Sequence, residues 1–143
     1  MRNDFYDIAY EDLLYLQATL HLPFYNNIAV ASEQIAEKML KSVVERINVD
    51  CESLLRSHNL RALFDTIRNE YPSCHIDRGK LSMLKDYYFD AKYPGDNFVN
   101  VTKEECIDTM YSVINYVHYV RKQMGLECYN ITQKPLTNHE SEG

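Results

Sequence analysis

The segment from Arg56 to Phe64, RSHNLRALF, places polar and basic side chains immediately before an apolar helical pattern. His58 carries an imidazole that titrates near neutral pH and can donate to a phosphate or stack on a base. Ser57 can cap the following helix, whose free N–H groups and positive dipole end favour an anion. Arg61 lies one turn inside that helix and could add a bidentate phosphate contact. These residues form a candidate site for a nucleotide phosphate.

A purely structural interpretation of this segment stays open, in which Ser57 is only a helix cap and His58 only fixes the connection between two helices. The segment AKYPGD has two interpretations as well. Lys92 could meet a phosphate while Tyr93 stacks on a base, or Tyr93 could pack on the last helix or at a dimer contact. The candidate ligand-binding residues are therefore Ser57, His58, Arg61, Lys92 and Tyr93.

The elements that would position these residues are helices throughout. The chain has only four Gly and four Pro, and no segment alternates apolar and polar residues as a strand does. Apolar periodicity predicts helices over about residues 4–20 and 28–47, a third from RSHNLRALF to about residue 70, a fourth starting at about residue 77, and a last one over about 102–124. The fourth is capped by Asp77, the last opens on a capping box from Thr102 to Glu105, and Gly125 ends it.

This pattern predicts an all-α, up-and-down bundle of about five helices over residues 1–125, followed by a mobile tail over 126–143. The second helix is the most clearly amphipathic. Opposite its apolar stripe it carries a set of charged residues: Glu33, Glu37, Lys38, Lys41 and Glu45. The two lysines could line a basic groove, but their alternation with glutamates favours a solvated face.

Composition narrows the function classes. A formal net charge of −6 disfavours bulk binding of DNA or RNA. Four scattered cysteines without a CxxC pair indicate reduced thiols rather than disulfides or a zinc site, and we predict no cofactor. No apolar run is long enough for a membrane helix, and the acidic N-terminal residues do not resemble a signal peptide, so a cytoplasmic protein is expected. Twelve tyrosines favour interfaces.

Three segments, taken together, resemble the HEPN domain, a helical domain named for nucleotide-binding proteins of higher eukaryotes and prokaryotes. SEQIAEKMLKSVVE resembles the family's Q-x-A-E-K-x-L-K helix, and RSHNLRALF resembles its S/T-H-D/N-L-x-x-L segment. YYFDAKYPGD resembles its Y-x-x-A-R-Y-P-G/D segment. Order, spacing and the long final helix agree over about residues 4–125.

The resemblance implies a five-helix homodimer and frequent partnership with a small nucleotidyltransferase, often in toxin–antitoxin or stress systems. Some family members are metal-independent ribonucleases that use an R-x(4–6)-H motif from both subunits. This chain departs from that motif, because His118 precedes Arg121 in the last helix and the order is reversed. Arg68 and His75 fit the spacing but bracket Pro72 at a helix end.

The sequence therefore favours a non-catalytic homodimeric module that binds a nucleotide or a nucleotidyltransferase partner. One alternative is a metal-independent ribonuclease toxin with an atypical site. It would use His58 or His118 as acid and base, with a nearby arginine (Arg61 or Arg121) to stabilise the phosphorane. A third possibility is a purely structural dimer that scaffolds a partner through tyrosine-rich surface.

Overall fold

The computed structural model of the protein describes residues 4–22, 25–47, 52–73, 76–92 and 100–133, with side chains for all of these except 25–26, 87–92 and 100–103. Its helices are α1 (Phe5–Ala18), α2 (Tyr25–Ile47), α3 (Glu52–Leu55), α4 (Leu60–Glu70), α5 (Arg78–Lys92) and α6 (Asn100–Gln123). The described ranges contain no strand, so the predicted all-α helical fold is confirmed. The single turn of α3 was not predicted, because four residues are too few to show a helical period.

Helix α2 lies at the centre of the bundle and packs against all five other helices. The prediction that its charged face is solvated is wrong. Glu33 is 0% exposed, Glu37 3% and Lys41 5%. Because neighbouring helices cover most of α2, these three charged residues must find partners inside the protein. Lys38 is only half-buried and pairs with Asp12 of α1 at 2.7 Å.

The start of α4 also differs from the prediction, because the capping residue is Asn59 rather than Ser57. Asn59 Oδ1 accepts a hydrogen bond from the backbone N–H of Ala62 at 3.1 Å. Ser57 Oγ instead accepts from the N–H of Asn59 at 3.0 Å, which shapes the turn before the helix. Since α4 begins at Leu60, the cap falls at position 59, where asparagine is as good a capping residue as serine.

Two other predicted helix starts have different outcomes. Asp77 Oδ1 accepts from the N–H of Gly79 at 2.9 Å, as expected for a cap on α5. Helix α6 begins at Asn100, so Thr102 lies inside the helix rather than at its cap.

Helix α6 ends at a glycine, as predicted. Gly125 has a positive φ of 78°, and the N–H of Leu126 donates to the carbonyl of Arg121 at 2.8 Å. This pattern is a Schellman motif, in which a left-handed residue satisfies the last carbonyls of the helix and reverses the chain.

The chain then returns along α1 as a segment that we call the C-terminal segment (residues 126–133). Gln17 donates to the carbonyl of Thr132 at 2.9 Å, and Tyr129 stacks on Tyr10 with ring centroids 3.9 Å apart. The domain boundary at residue 125 and the mobility of the tail stay predictions. The contacts here concern only residues 126–133, since residues 134–143 lie outside the described part of the chain.

Candidate functional site

An open cleft of about 450 Å³ lies between the N-terminal end of α4 and the first half of α5. Its floor is apolar, formed by Leu60 and Leu81. Around this floor stand polar and basic side chains: Ser57, His58, Asn59, Arg61, Ser82 and Lys85. An apolar floor with a few polar groups at its rim is the usual composition of a small-molecule site, and the volume falls in the usual range.

Three of the five candidate residues from the sequence, Ser57, His58 and Arg61, line this cleft together. Tyr93 and the side chain of Lys92 lie outside the described residues. Sequence reasoning missed Ser82 and Lys85, which α5 contributes to the opposite wall. Their spacing of three residues places them on one side of α5, but only the packing of α5 against α4 brings that side to His58.

The imidazole of His58 contacts the buried carboxylate of Glu37. His58 Nδ1 lies 3.0 Å from Glu37 Oε2, and Lys41 Nζ lies 2.8 Å from the same oxygen. The second oxygen, Glu37 Oε1, is buried and has no hydrogen-bond partner among the described residues. Glu37, which is buried in α2, therefore contacts His58, whose side chain is 69% exposed at the cleft.

A second buried carboxylate holds the other wall of the cleft. Glu33 Oε2 accepts from Lys85 Nζ at 3.0 Å, and its other oxygen accepts from Gln34 at 2.8 Å. Burial raises the pKa of the Glu33 carboxyl above its usual value, and the ammonium group of Lys85 opposes that rise. This ion pair fixes Lys85 in the α5 wall of the cleft.

Arg61 is the cation of the cleft that the described residues leave without an ion-pair partner. Its guanidinium donates to Ser82 Oγ at 3.3 Å and is otherwise exposed. Asn59 satisfies the N–H group of Ala62, and its carbonyl accepts from Leu63. The earlier N–H groups of α4, at Leu60 and Arg61, have no intrahelical acceptor and lie at the positive end of the helix dipole. This corner of the cleft can therefore attract an anion.

His118 and Arg121, the Arg/His pair of the last helix, belong to a different part of the molecule, and His75, the candidate partner of Arg68, lies outside the described residues. Arg121 is 7% exposed, donates through Nη2 to the carbonyl of Glu127 at 2.6 Å, and lies 3.6 Å from the ring centroid of Tyr6. His118 Nε2 lies 2.9 Å from the hydroxyl of Tyr6, which also accepts from the N–H of Tyr129 at 2.8 Å. Burial raises the pKa of Tyr6 to about 12. These contacts join α6, α1 and the C-terminal segment.

The environment of His118 predicts an acid-sensitive contribution to stability. Burial lowers the pKa of His118, and the charges of Arg121 and Lys122 lower it further. A folded-state pKa below the unfolded value of about 6.5 leaves stability intact above that value and reduces it as the pH falls through it. We expect the free energy of unfolding of the wild type to fall more steeply from pH 7 to pH 5 than that of His118→Gln, measured by urea denaturation. Equal slopes would contradict this assignment.

No group of three or more His, Cys, Asp or Glu side chains in the described ranges is arranged to hold a metal ion. None of the described helices combines the length and apolar character needed to cross a membrane.

Comparison with known proteins identifies one family. The model of the HEPN domain matches residues 3–123, which is most of the chain. No curated protein and no solved structure matches the chain with significance.

Proposed function

Since the chain belongs to the HEPN domain family, we propose that the α4–α5 cleft binds a nucleotide as part of a non-catalytic cytoplasmic module. Family membership suggests either a nucleotide-binding module or a ribonuclease-type module, and the choice between them depends on the site. The observation that carries the proposal is the convergence of Ser57, His58 and Arg61 on one cleft with Lys85 opposite.

Each part of a nucleotide has a chemically suitable counterpart in the cleft. A phosphate fits the corner formed by the guanidinium of Arg61 and the first N–H groups of α4. The base or sugar fits the apolar floor of Leu60 and Leu81. Asp86 at the rim adds one opposing negative charge, so we expect moderate affinity rather than tight binding.

The ribonuclease alternative retains one supporting observation. A buried carboxylate that holds a histidine through Nδ1, as Glu37 holds His58, is the arrangement that orients a catalytic base in hydrolases. Against it, Arg121 and His118 are bound to structural partners. We therefore expect purified protein to leave single-stranded RNA intact. Cleavage that is lost in His58→Phe would favour the alternative instead.

We also propose a homodimer that works with a nucleotidyltransferase in a toxin–antitoxin or stress system, as the family resemblance implies. Supporting this, the described surface exposes large apolar side chains, with Tyr15 73% and Leu14 45% exposed on α1. Sedimentation velocity should detect a species of twice 16.8 kDa at micromolar concentration. A protein that is still monomeric at about 100 µM, roughly a hundredfold above a micromolar dissociation constant, would contradict the dimer.

Nucleotide binding is tested by titrating the protein with ATP and GTP in a calorimeter. The critical variant is Arg61→Gln, and the matched control is Arg68→Gln, an exposed arginine at the other end of the same helix. Losing a charge-assisted contact should weaken binding by about tenfold or more in the first variant only. Absence of binding at millimolar nucleotide, or equal effects of the two substitutions, would overturn the proposal.

A further inference from the structure

The position of the proton on the neutral His58 ring follows from its contact with Glu37 Oε2. Glu37 Oε2 already accepts a hydrogen bond from Lys41 Nζ at 2.8 Å. In the contact of 3.0 Å with His58 Nδ1, the proton must therefore come from the histidine, because this oxygen is an acceptor. Which ring nitrogen is protonated in a neutral histidine is set by the bond that the other nitrogen makes. The uncharged ring of His58 thus carries its proton on Nδ1.

This tautomer gives the cleft an acceptor rather than a donor. With Nδ1–H directed at the buried carboxylate, Nε2 is a bare lone pair on the opposite, exposed side of the ring. Within the described residues Nε2 makes no hydrogen bond. A fully ionised phosphate has no proton to donate to it, whereas a hydroxyl group does. The ligand group that suits Nε2 is therefore a hydroxyl next to the anion that Arg61 attracts.

We propose that His58 recognises the 2′-hydroxyl of a ribonucleotide whose adjacent phosphate lies against Arg61. His58 and Arg61 are three residues apart around the start of α4 and line the same cleft. A 2′-hydroxyl and a 3′-phosphate occupy neighbouring carbons of ribose, so a single ribose can present a donor and an anion to two residues of the same cleft. Glu37 is then the positioning residue for this selection, and His58 is the residue that contacts the ligand. This inference rests on the nucleotide binding proposed above and adds its selectivity for ribose.

The test compares the binding of adenosine 3′-monophosphate with that of its 2′-deoxy analogue at pH 8. Neither ligand contains a phosphodiester bond that transesterification could break, so binding is measured without cleavage. The wild type is expected to bind the ribose form about three- to tenfold more tightly, the range expected for one hydrogen bond. His58→Phe keeps a flat ring at this exposed position but has no acceptor, so it should bind both ligands equally. Asp86→Ala, which removes the carboxylate acceptor at the rim, should keep the preference.

A second measurement needs no ligand. At a pH where the ring is uncharged, nitrogen-15 chemical shifts of His58 should report an unprotonated Nε2 and a protonated Nδ1 in the wild type, and Glu37→Gln should shift the ring toward the other tautomer. Equal binding of the two nucleotides by the wild type, a preference retained by His58→Phe, or a proton on Nε2 would each overturn the inference. Failure of the proposed function itself is distinct, since then neither nucleotide would bind.

Discussion

Replacing Lys41 by methionine is expected to lower the free energy of unfolding by about 3–5 kcal/mol, because it leaves the carboxylate of Glu37 buried without its charged partner. The side chains of Lys41 and Glu37 are 7% and 4% exposed, so water cannot take over the lost contact. In the variant Glu37 keeps only the contact with His58 Nδ1, which carries no full charge when the ring is neutral, because its other oxygen has no hydrogen-bond partner in the described structure. Urea denaturation followed by circular dichroism measures the change.

The matched control is Lys38→Met, the same substitution three residues earlier on α2. Lys38 and Asp12 are 28% and 40% exposed, and an ion pair that water reaches contributes only about 0–1 kcal/mol. Replacing both members of the buried pair, Glu37→Leu with Lys41→Met, should recover much of the loss because neither charge of this pair is then left without its partner. If Lys41→Met costs no more than Lys38→Met, the description of α2 as a buried charged helix is wrong.

The second large effect is expected for Arg121→Met, at about 2–4 kcal/mol of unfolding free energy. The substitution removes two donors to the carbonyl of Glu127, at 2.6 and 3.1 Å, and the cation that lies over the ring of Tyr6. The C-terminal segment then loses its first attachment, so its amide hydrogens should exchange faster with deuterium. The segment keeps other hydrogen bonds, such as those of Tyr129 to Asp7 at 2.7 Å and of Gln17 to the carbonyl of Thr132 at 2.9 Å, but these two are exposed and each contributes only about 1 kcal/mol.

Lys122→Met provides the comparison, since Lys122 is the exposed neighbour of Arg121 and a surface substitution should change stability by less than about 0.5 kcal/mol. Amide exchange in residues 126–133 should be unchanged in this control. The same exchange pattern in both variants would contradict the role assigned to Arg121.

Apolar periodicity was sufficient to predict the bundle, because three- and four-residue spacing directly encodes which side of a helix is buried. It could not predict the burial of the charged side of α2. The partner of Glu33 is Lys85, 52 residues away, and nothing in either local sequence indicates that pairing. Likewise, the C-terminal segment has no periodicity to detect, since its attachment depends on single contacts such as the stacking of Tyr129 on Tyr10.

The candidate site was partly accessible from sequence. Ser57, His58 and Arg61 stand together in the chain, so their shared location at the start of α4 could be predicted from residue types. The contact between His58 and Glu37 could not be predicted, because the two residues are 21 positions apart in the chain and belong to two different segments of the family resemblance. In that contact each residue has a distinct role: Glu37 orients the imidazole of His58, and His58 presents its other ring nitrogen to the cleft.

The most direct test of the central claim is an amide NMR titration of the labelled protein with ATP. If the α4–α5 cleft binds the nucleotide, chemical shifts should change for residues 57–62 and 81–86, whereas the contact between α1 and the C-terminal segment should be unaffected. Absence of any change at millimolar ATP, or changes confined to the surroundings of Tyr6 and Tyr129, would contradict the claim.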